Sequence, residues 1–219
     1  MPDRPDDVSA ARHRDPVGAV GAKQRWRRSV LAARRSAPAE VRDAANAALL
    51  RTLAEVVRGS PARTVAGYVP LATEPGGPGL PEALVASGVR LLLLPVLRDD
   101  LDLDWAAYAG PGSLARTARG LREPGSPRLG RQAVAAADLV VVPALAVDST
   151  GVRLGRGGGS YDRALARVPT SALVIALLYD GELVQRLPAQ PHDRRVDAVI
   201  TPGRGVVFLP TSAGRAADG

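Results

Sequence analysis

Val142-Pro-Ala-Leu-Ala-Val-Asp-Ser-Thr-Gly-Val-Arg-Leu-Gly-Arg-Gly-Gly-Gly-Ser-Tyr-Asp-Arg163 leaves one apolar run, crosses a cluster of glycines and enters a second, helix-like apolar run. Strand, glycine-rich turn and helix in that order form the unit of α/β sheets. Gly155, Gly157, Gly158 and Gly159 let backbone N–H groups approach a ligand with no Cβ in the way. The start of a following helix adds its own free N–H groups, and together these suit a phosphate. Asp162 sits where a carboxylate can reach a metal ion bound to that phosphate. Arg153, Arg156 and Arg163 surround it with fixed positive charge. Read alone, the cluster is equally a glycine-rich surface turn.

Generic motifs do not decide between the two. A dinucleotide fingerprint needs glycine where Ser160 stands, and a Walker A loop needs Gly-Lys-Ser/Thr. Ser160 is not in a nucleophile elbow either, because Asp162 occupies the second glycine position.

Working outward, strand-like and helix-like patterns alternate. Val20 to Arg35 reads as a basic helix whose Trp26 anchors it to the body. Apolar residues from Val41 to Val57 recur at helical spacing, with Pro38 in the first turn and Gly59 at the end. Thr64 to Val69 reads as a strand, Pro81 to Gly88 as a short helix, and Val89 to Leu97 as a buried strand. Leu101-Asp-Leu-Asp-Trp105 alternates, which predicts a strand with one exposed face. Leu114 to Gly130 reads as irregular and Ala133 to Ala137 as a short helix. Further strands are expected at Leu139–Val142, Ala172–Tyr179, Val184–Leu187 and Val196–Ile200. The expectation is a single three-layer α/β domain over residues 17–203, with a mostly parallel sheet flanked by helices. Residues 1–16 are charged and proline-rich and predict a disordered tail, and 204–219 a flexible one.

The chain has 219 residues, 46% hydrophobic but only 3% aromatic, so Ala, Val and Leu must fill its core. Its 29 basic and 22 acidic residues leave a net charge of +7. The arginines are dispersed, and an anionic small-molecule site accounts for part of that charge. No aromatic–basic interleaving supports base stacking, so no nucleic-acid partner is expected. Cysteine is absent and only His13 and His192 are present, which leaves too few ligands for an ordinary zinc site. No apolar run is long enough to span a membrane and no secretory signal is visible, so a cytoplasmic protein is expected. Lys23 is the only lysine, kept either by chance or because a compact ammonium does something guanidinium cannot.

Arg153-Leu-Gly-Arg-Gly-Gly-Gly-Ser-Tyr-Asp-Arg163 resembles the signature of the 5-formyltetrahydrofolate cyclo-ligase (methenyltetrahydrofolate synthetase) family. That family carries Arg-Leu-Gly-(Tyr or Arg)-Gly-x-Gly-aromatic-Tyr-Asp here, after a Val-Pro strand end. Ser160 replaces the usual aromatic. Weaker patches extend the resemblance over roughly residues 21–201.

The resemblance implies a fold of the sugar-phosphate-isomerase and CoA-transferase-like type. It also implies ATP- and Mg²⁺-dependent closure of 5-formyltetrahydrofolate to 5,10-methenyltetrahydrofolate, and a monomer is the expected state. By position, Lys23 and Arg27 would hold ATP phosphates with Arg153, Gly155, Arg156, Gly157, Gly158, Gly159, Ser160 and Tyr161. Val69 and Glu74 would seat the folate together with Gly157, Gly158, Gly159, Ser160 and Tyr161. Arg156 and Tyr161 take the catalytic role, and Asp162 and Asp193 the Mg²⁺. Glu123-Pro124 resembles a family pair read as loop structure. Trp105 stacks on a pterin in one reading and sits in the core in the favoured one. A rival stays open, a relative that binds nucleotide or folate without turnover or with a shifted substrate. Ser160 and the unusual Pro75-Gly76-Gly77 after Glu74 motivate it.

Overall fold

Leu139-Val-Val-Val-Pro143 sets the architecture, because its side chains alternate between two separate cores. Leu139 and Val141 pack to one side of the sheet, and Val140 and Val142 to the other. A strand buried on both faces needs a covering layer on each. The computed structural model of the chain describes residues 16–189 and 193–210. The expected N-terminal tail falls, up to residue 15, outside the described residues, as do His13 and His192.

In chain order the elements are α1 (Pro16–Ser36), α2 (Ala39–Gly59), β1 (Thr64–Ala66), α3 (Leu80–Ala86), β2 (Leu91–Leu97) and β3 (Leu103–Ala107). There follow β4 (Leu114–Arg116), β5 (Arg122–Pro124), a 3-10 helix (Arg131–Ala136), β6 (Leu139–Pro143), β7 (Ala146–Asp148) and β8 (Arg153–Leu154). The chain continues through α4 (Ser160–Leu165), β9 (Leu173–Leu177), β10 (Leu183–Val184), β11 (Ala198–Thr201) and β12 (Gly205–Phe208).

The main sheet has seven strands in the order β12-β11-β9-β6-β1-β2-β3. The five inner strands are parallel, and β3 and β12 close the edges antiparallel. On one face α2 contributes Leu49, Leu53 and Val57, and α3 contributes Leu80 and Leu84. The other face is covered by Val134 of the 3-10 helix and by Ala164 and Leu165 of α4. The expected three-layer α/β fold is therefore present, with a core of Val, Leu and Ala. Trp105 lies in that core, fully buried on β3, so the pterin-stacking reading is not the one the fold adopts.

A smaller sheet, β10-β7-β8, stands apart from the main one. Val30 of α1 packs onto it with Leu145, Val152 and Leu154, and Trp26 lies against the same cluster. Trp26 thus does anchor the first helix.

Four expectations are corrected. Residues 205–208, read as part of a flexible tail, pair with β11 as an edge strand, Ala198 opposite Phe208. The segment read as irregular contains the β4–β5 hairpin. Residues 101–105 have no exposed aspartate face: Asp102 and Asp104 are buried, and arginines from elsewhere meet them. Pro38 is the N-cap of α2, with ψ at 147°, and not part of its first turn.

Candidate active site

The parallel strands β1, β2 and β6 end around one cavity of about 410 Å³. Ligand sites of open α/β sheets form at such strand ends. Tyr68 and Val69 follow β1, Pro95 and Leu97 end β2, and Pro143 and Ala144 end β6 at its wall. Pro143 has no N–H to continue the ladder. The chain then turns into the β7–β8 hairpin, whose bend is tied by Asp148. Its Oδ1 accepts from Thr150 N at 2.8 Å and Val152 N at 3.1 Å, and its Oδ2 from Leu187 N at 3.0 Å. These bonds hold its carboxyl below the ordinary range against the burial that opposes them.

The glycine loop leaves β8 directly into the cavity. Gly157 and Gly159 have φ of 104° and 69°, a region that side chains resist. A Cβ on Gly157 would stand 3.3 Å from the Arg27 guanidinium, so this glycine makes room for that cation. The N–H groups of Gly157, Gly158 and Gly159 donate no main-chain hydrogen bond to any described residue. The helix that follows, α4, has only six residues, so the loop amides and the arginines, more than a helix dipole, make this wall receptive to anions.

The remaining nominated residues gather on the same walls. Lys23 and Arg27 come from α1, Glu74 from the loop after β1, Arg153 from β8, Arg156 from the glycine loop, Ser160 from the start of α4, and Asp193 from the segment before β11. With Val69, Gly155, Gly158, Gly159, Tyr161 and Asp162, every nominated residue lines the cavity.

Charges are matched in pairs. Lys23 Nζ meets Asp193 Oδ2 at 2.7 Å with both side chains buried. Arg153 Nη2 meets Asp162 Oδ1 at 2.8 Å, and its guanidinium lies 5.8 Å from the Tyr161 ring centre. Arg27 Nε donates to Gly155 O at 2.9 Å. Arg156 Nε donates to Glu74 Oε1 at 2.9 Å, while Glu74 Oε2 accepts from Leu71 N at 3.0 Å. Burial, and then the Glu74 carboxylate, push the Tyr161 and Tyr68 hydroxyls above their usual range, so both stay protonated donors.

Among the described residues no cluster of three or more His, Cys, Asp or Glu gathers to hold a metal by itself. Asp162 and Asp193 nevertheless suit Mg²⁺. Both are hard oxygen donors that line the cavity, each paired there with a cation, and Arg194 N, next to Asp193 in the chain, donates to Asp162 Oδ1 at 3.5 Å. An ion that takes its other oxygens from phosphate and water needs no more carboxylates than these.

Sequence reasoning missed one wall. Leu121, Arg122 and Glu123 of the β5 region line the cavity, as do Leu101 and Leu103. Glu123, read as loop structure, lies instead in β5, and its Oε1 accepts from Leu97 N at 2.9 Å. Leu121 and Arg122 carry no local signal. No helix among the described residues is long and apolar enough to cross a membrane.

Known proteins resemble the chain in sequence and fold. The 5-formyltetrahydrofolate cyclo-ligase of Mycolicibacterium smegmatis is 44% identical over 192 residues, covering 85% of this chain and 97% of its own length. The NMR structure of Aquifex aeolicus 5,10-methenyltetrahydrofolate synthetase superposes with a TM-score of 0.68 at 27% identity, over 86% of this chain and 93% of that one. The Mycoplasma pneumoniae 5,10-methenyltetrahydrofolate synthetase shares the fold at a TM-score of 0.64 and 18% identity, over 81% and 96% of the two chains. The model of the 5-formyltetrahydrofolate cyclo-ligase family matches residues 19–202, which span α1, the glycine loop and Asp193 alike. With a family model matched over residues 19–202 and a relative 44% identical over 97% of its own length, the chain belongs to the 5-formyltetrahydrofolate cyclo-ligase family.

Proposed function

We propose that the chain closes 5-formyltetrahydrofolate to 5,10-methenyltetrahydrofolate at the expense of ATP, with ADP and phosphate released and Mg²⁺ required. The observation that carries this reading is the single cavity that gathers an arginine-rich glycine loop, the Lys23 and Arg27 cations and the Asp162–Asp193 carboxylates. Family membership supplies the substrate class.

A formyl oxygen on an amide-like nitrogen is a poor leaving group. Its attack on the γ-phosphorus of ATP forms a P–O bond and breaks the bond to ADP. The neighbouring folate nitrogen then attacks the activated carbon, loses its proton, and phosphate departs as the ring closes. No side-chain nucleophile is needed, only positioning and charge stabilisation.

Lys23, Arg27, Arg153 and the amides of Gly155, Gly157, Gly158, Gly159 and Ser160 hold the triphosphate in this reading. Arg156, half-exposed at the cavity and drawn toward Glu74, steadies the transferring phosphoryl group. Tyr161 keeps its proton and donates to an oxygen of the reacting group. Val69 and Glu74 seat the folate. Asp162 and Asp193 would hold Mg²⁺, which supplies charge neutralisation to the phosphates. Reduced folate and ATP are the ligands, and the working form is a cytoplasmic monomer.

The test mixes protein, ATP, Mg²⁺ and 5-formyltetrahydrofolate and follows the near-ultraviolet absorbance of the methenyl product. An ATP-dependent rise that Asp162→Ala abolishes in a folded variant is expected. No rise, with ATP still bound by calorimetry, would replace this reading with a nucleotide-binding relative of another substrate.

A further inference from the structure

Asn46 is the only asparagine in the chain, and it stands in the run Ala44-Ala45-Asn46-Ala47-Ala48 within α2. Asparagine is a poorer helix former than the alanines around it, so local structure does not account for it. It does not line the cavity. Its side chain reaches the loop after β1 instead. Oδ1 accepts from Gly76 N at 3.0 Å and from Tyr179 Oη at 3.0 Å.

Those two donors bracket Glu74. Gly76 lies two residues beyond it. The Tyr179 hydroxyl also stands 3.4 Å from the Glu74 carbonyl oxygen. The turn is tight: Glu74 N donates to Leu71 O at 2.8 Å and Gly77 N to Glu74 O at 3.3 Å. Tyr68 Oη donates to Pro75 O at 2.6 Å from the other side. Tyr179 is held in turn, with its N–H on Glu182 Oε2 at 2.8 Å and the Arg34 guanidinium 5.6 Å from its ring centre.

Pro75-Gly76-Gly77 is also where this chain departs from the pattern it otherwise resembles. Gly76 and Gly77 have φ of 92° and 57°. A Cβ on Gly77 would stand 2.8 Å from Asn46 Nδ2. Gly77 thus leaves the space that the Asn46 amide fills, and Gly76 supplies the N–H that the amide oxygen accepts.

We propose that Asn46 is a positioning residue for the folate site: by taking the Gly76 N–H and the Tyr179 O–H on one oxygen, it fixes the turn that aims the Glu74 carboxylate into the cavity. This rests on the reading of Glu74 as a folate-seating group. It places the control of folate affinity in α2, outside the cavity.

The experiment measures binding of 5-formyltetrahydrofolate and of Mg²⁺–ATP separately by calorimetry, with steady-state KM and kcat alongside, in wild type, Asn46→Leu, Asn46→Asp and Tyr179→Phe. Leucine is near-isosteric but accepts no hydrogen bond, whereas aspartate keeps the accepting oxygen. Asn46→Leu should weaken folate about tenfold with ATP affinity little changed. Asn46→Asp should restore most of the loss, and Tyr179→Phe, which removes one donor only, should show a smaller loss in the same direction. Unchanged folate affinity with only a lowered denaturation midpoint would reduce Asn46 to a structural role and overturn the proposal. Equal losses for folate and ATP would overturn it too. Wild type that binds ATP but no folate would remove the folate reading and this inference together. Wild type that binds folate without turnover would refute the activity alone and leave the binding comparison decisive.

Discussion

Asp102→Asn should cost the protein about 2 kcal/mol near neutral pH, and most of that cost should vanish in acid. The carboxylate is buried just before β3. Arg167 grips it twice, Nη1 to Oδ1 at 3.0 Å and Nη2 to Oδ2 at 2.6 Å, and Arg131 Nη1 adds a longer contact at 3.4 Å. The Leu103 N–H donates to Oδ1 at 2.8 Å. Chiefly through the Arg167 hydrogen bonds, and against the opposing effect of burial, the pKa falls from 3.8 to about 2. Because the folded value is the lower one, the stabilisation is fully present above the unfolded pKa and is lost as pH falls through the folded pKa. A shift of this size is worth about 2 kcal/mol at neutral pH and about a third of that near pH 2.5. The amide also leaves the Arg167 charge without its partner, which pushes the neutral-pH loss toward about 3 kcal/mol. Urea denaturation of wild type and variant at both pH values reads the difference, with all other carboxylates common to the pair. A gap of equal size at the two pH values, or one below about 0.5 kcal/mol near neutrality, would refute the assignment of the shift to this carboxylate.

Two further outcomes follow from single contacts. Asp193→Asn removes the buried partner that Lys23 holds at 2.7 Å, so titration calorimetry should show tighter binding of metal-free ATP and a smaller gain on adding Mg²⁺. Gly151→Ala should destabilise by about 2–4 kcal/mol in thermal or urea denaturation, because φ is 84° and the new Cβ would stand 2.5 Å from Val196 O.

The parts of the fold legible in the sequence are those with a local period or a local signature. Val89 to Leu97 and Leu139 to Val142 read as buried strands because a strand covered on both faces is apolar throughout. The glycine loop was legible because its glycines, Tyr161 and Asp162 form a contiguous local signature, and the same residues line the cavity. Residues 101–105 misled because Asp102 and Asp104 are neutralised by Arg98, Arg131 and Arg167, and no neighbour in sequence announces all three. The strands β7, β8 and β10 have two or three residues each, too few to show alternation. Leu121 and Arg122 reach the cavity only because the β4–β5 hairpin folds back, a long-range outcome without a local pattern. Asn46 carried a compositional signal, being the sole asparagine, but its partner Tyr179 lies 133 residues away.

The first helix has a consequence for how the protein matures. Lys23 meets Asp193 across 170 residues of chain, Arg34 meets Glu182 across 148, and Arg27 meets Gly155 across 128. During synthesis α1 leaves the ribosome before the other described elements, but it cannot complete its wall of the cavity until the segment that carries Asp193 has followed. A truncated product can thus form part of the sheet without a finished cavity. Conversely, detachment of α1 alone would silence the site while the seven-stranded sheet stays folded. A ligand that bridges Lys23 and the glycine loop works as a fastener on the helix, and its affinity reports whether α1 has docked on the rest of the fold.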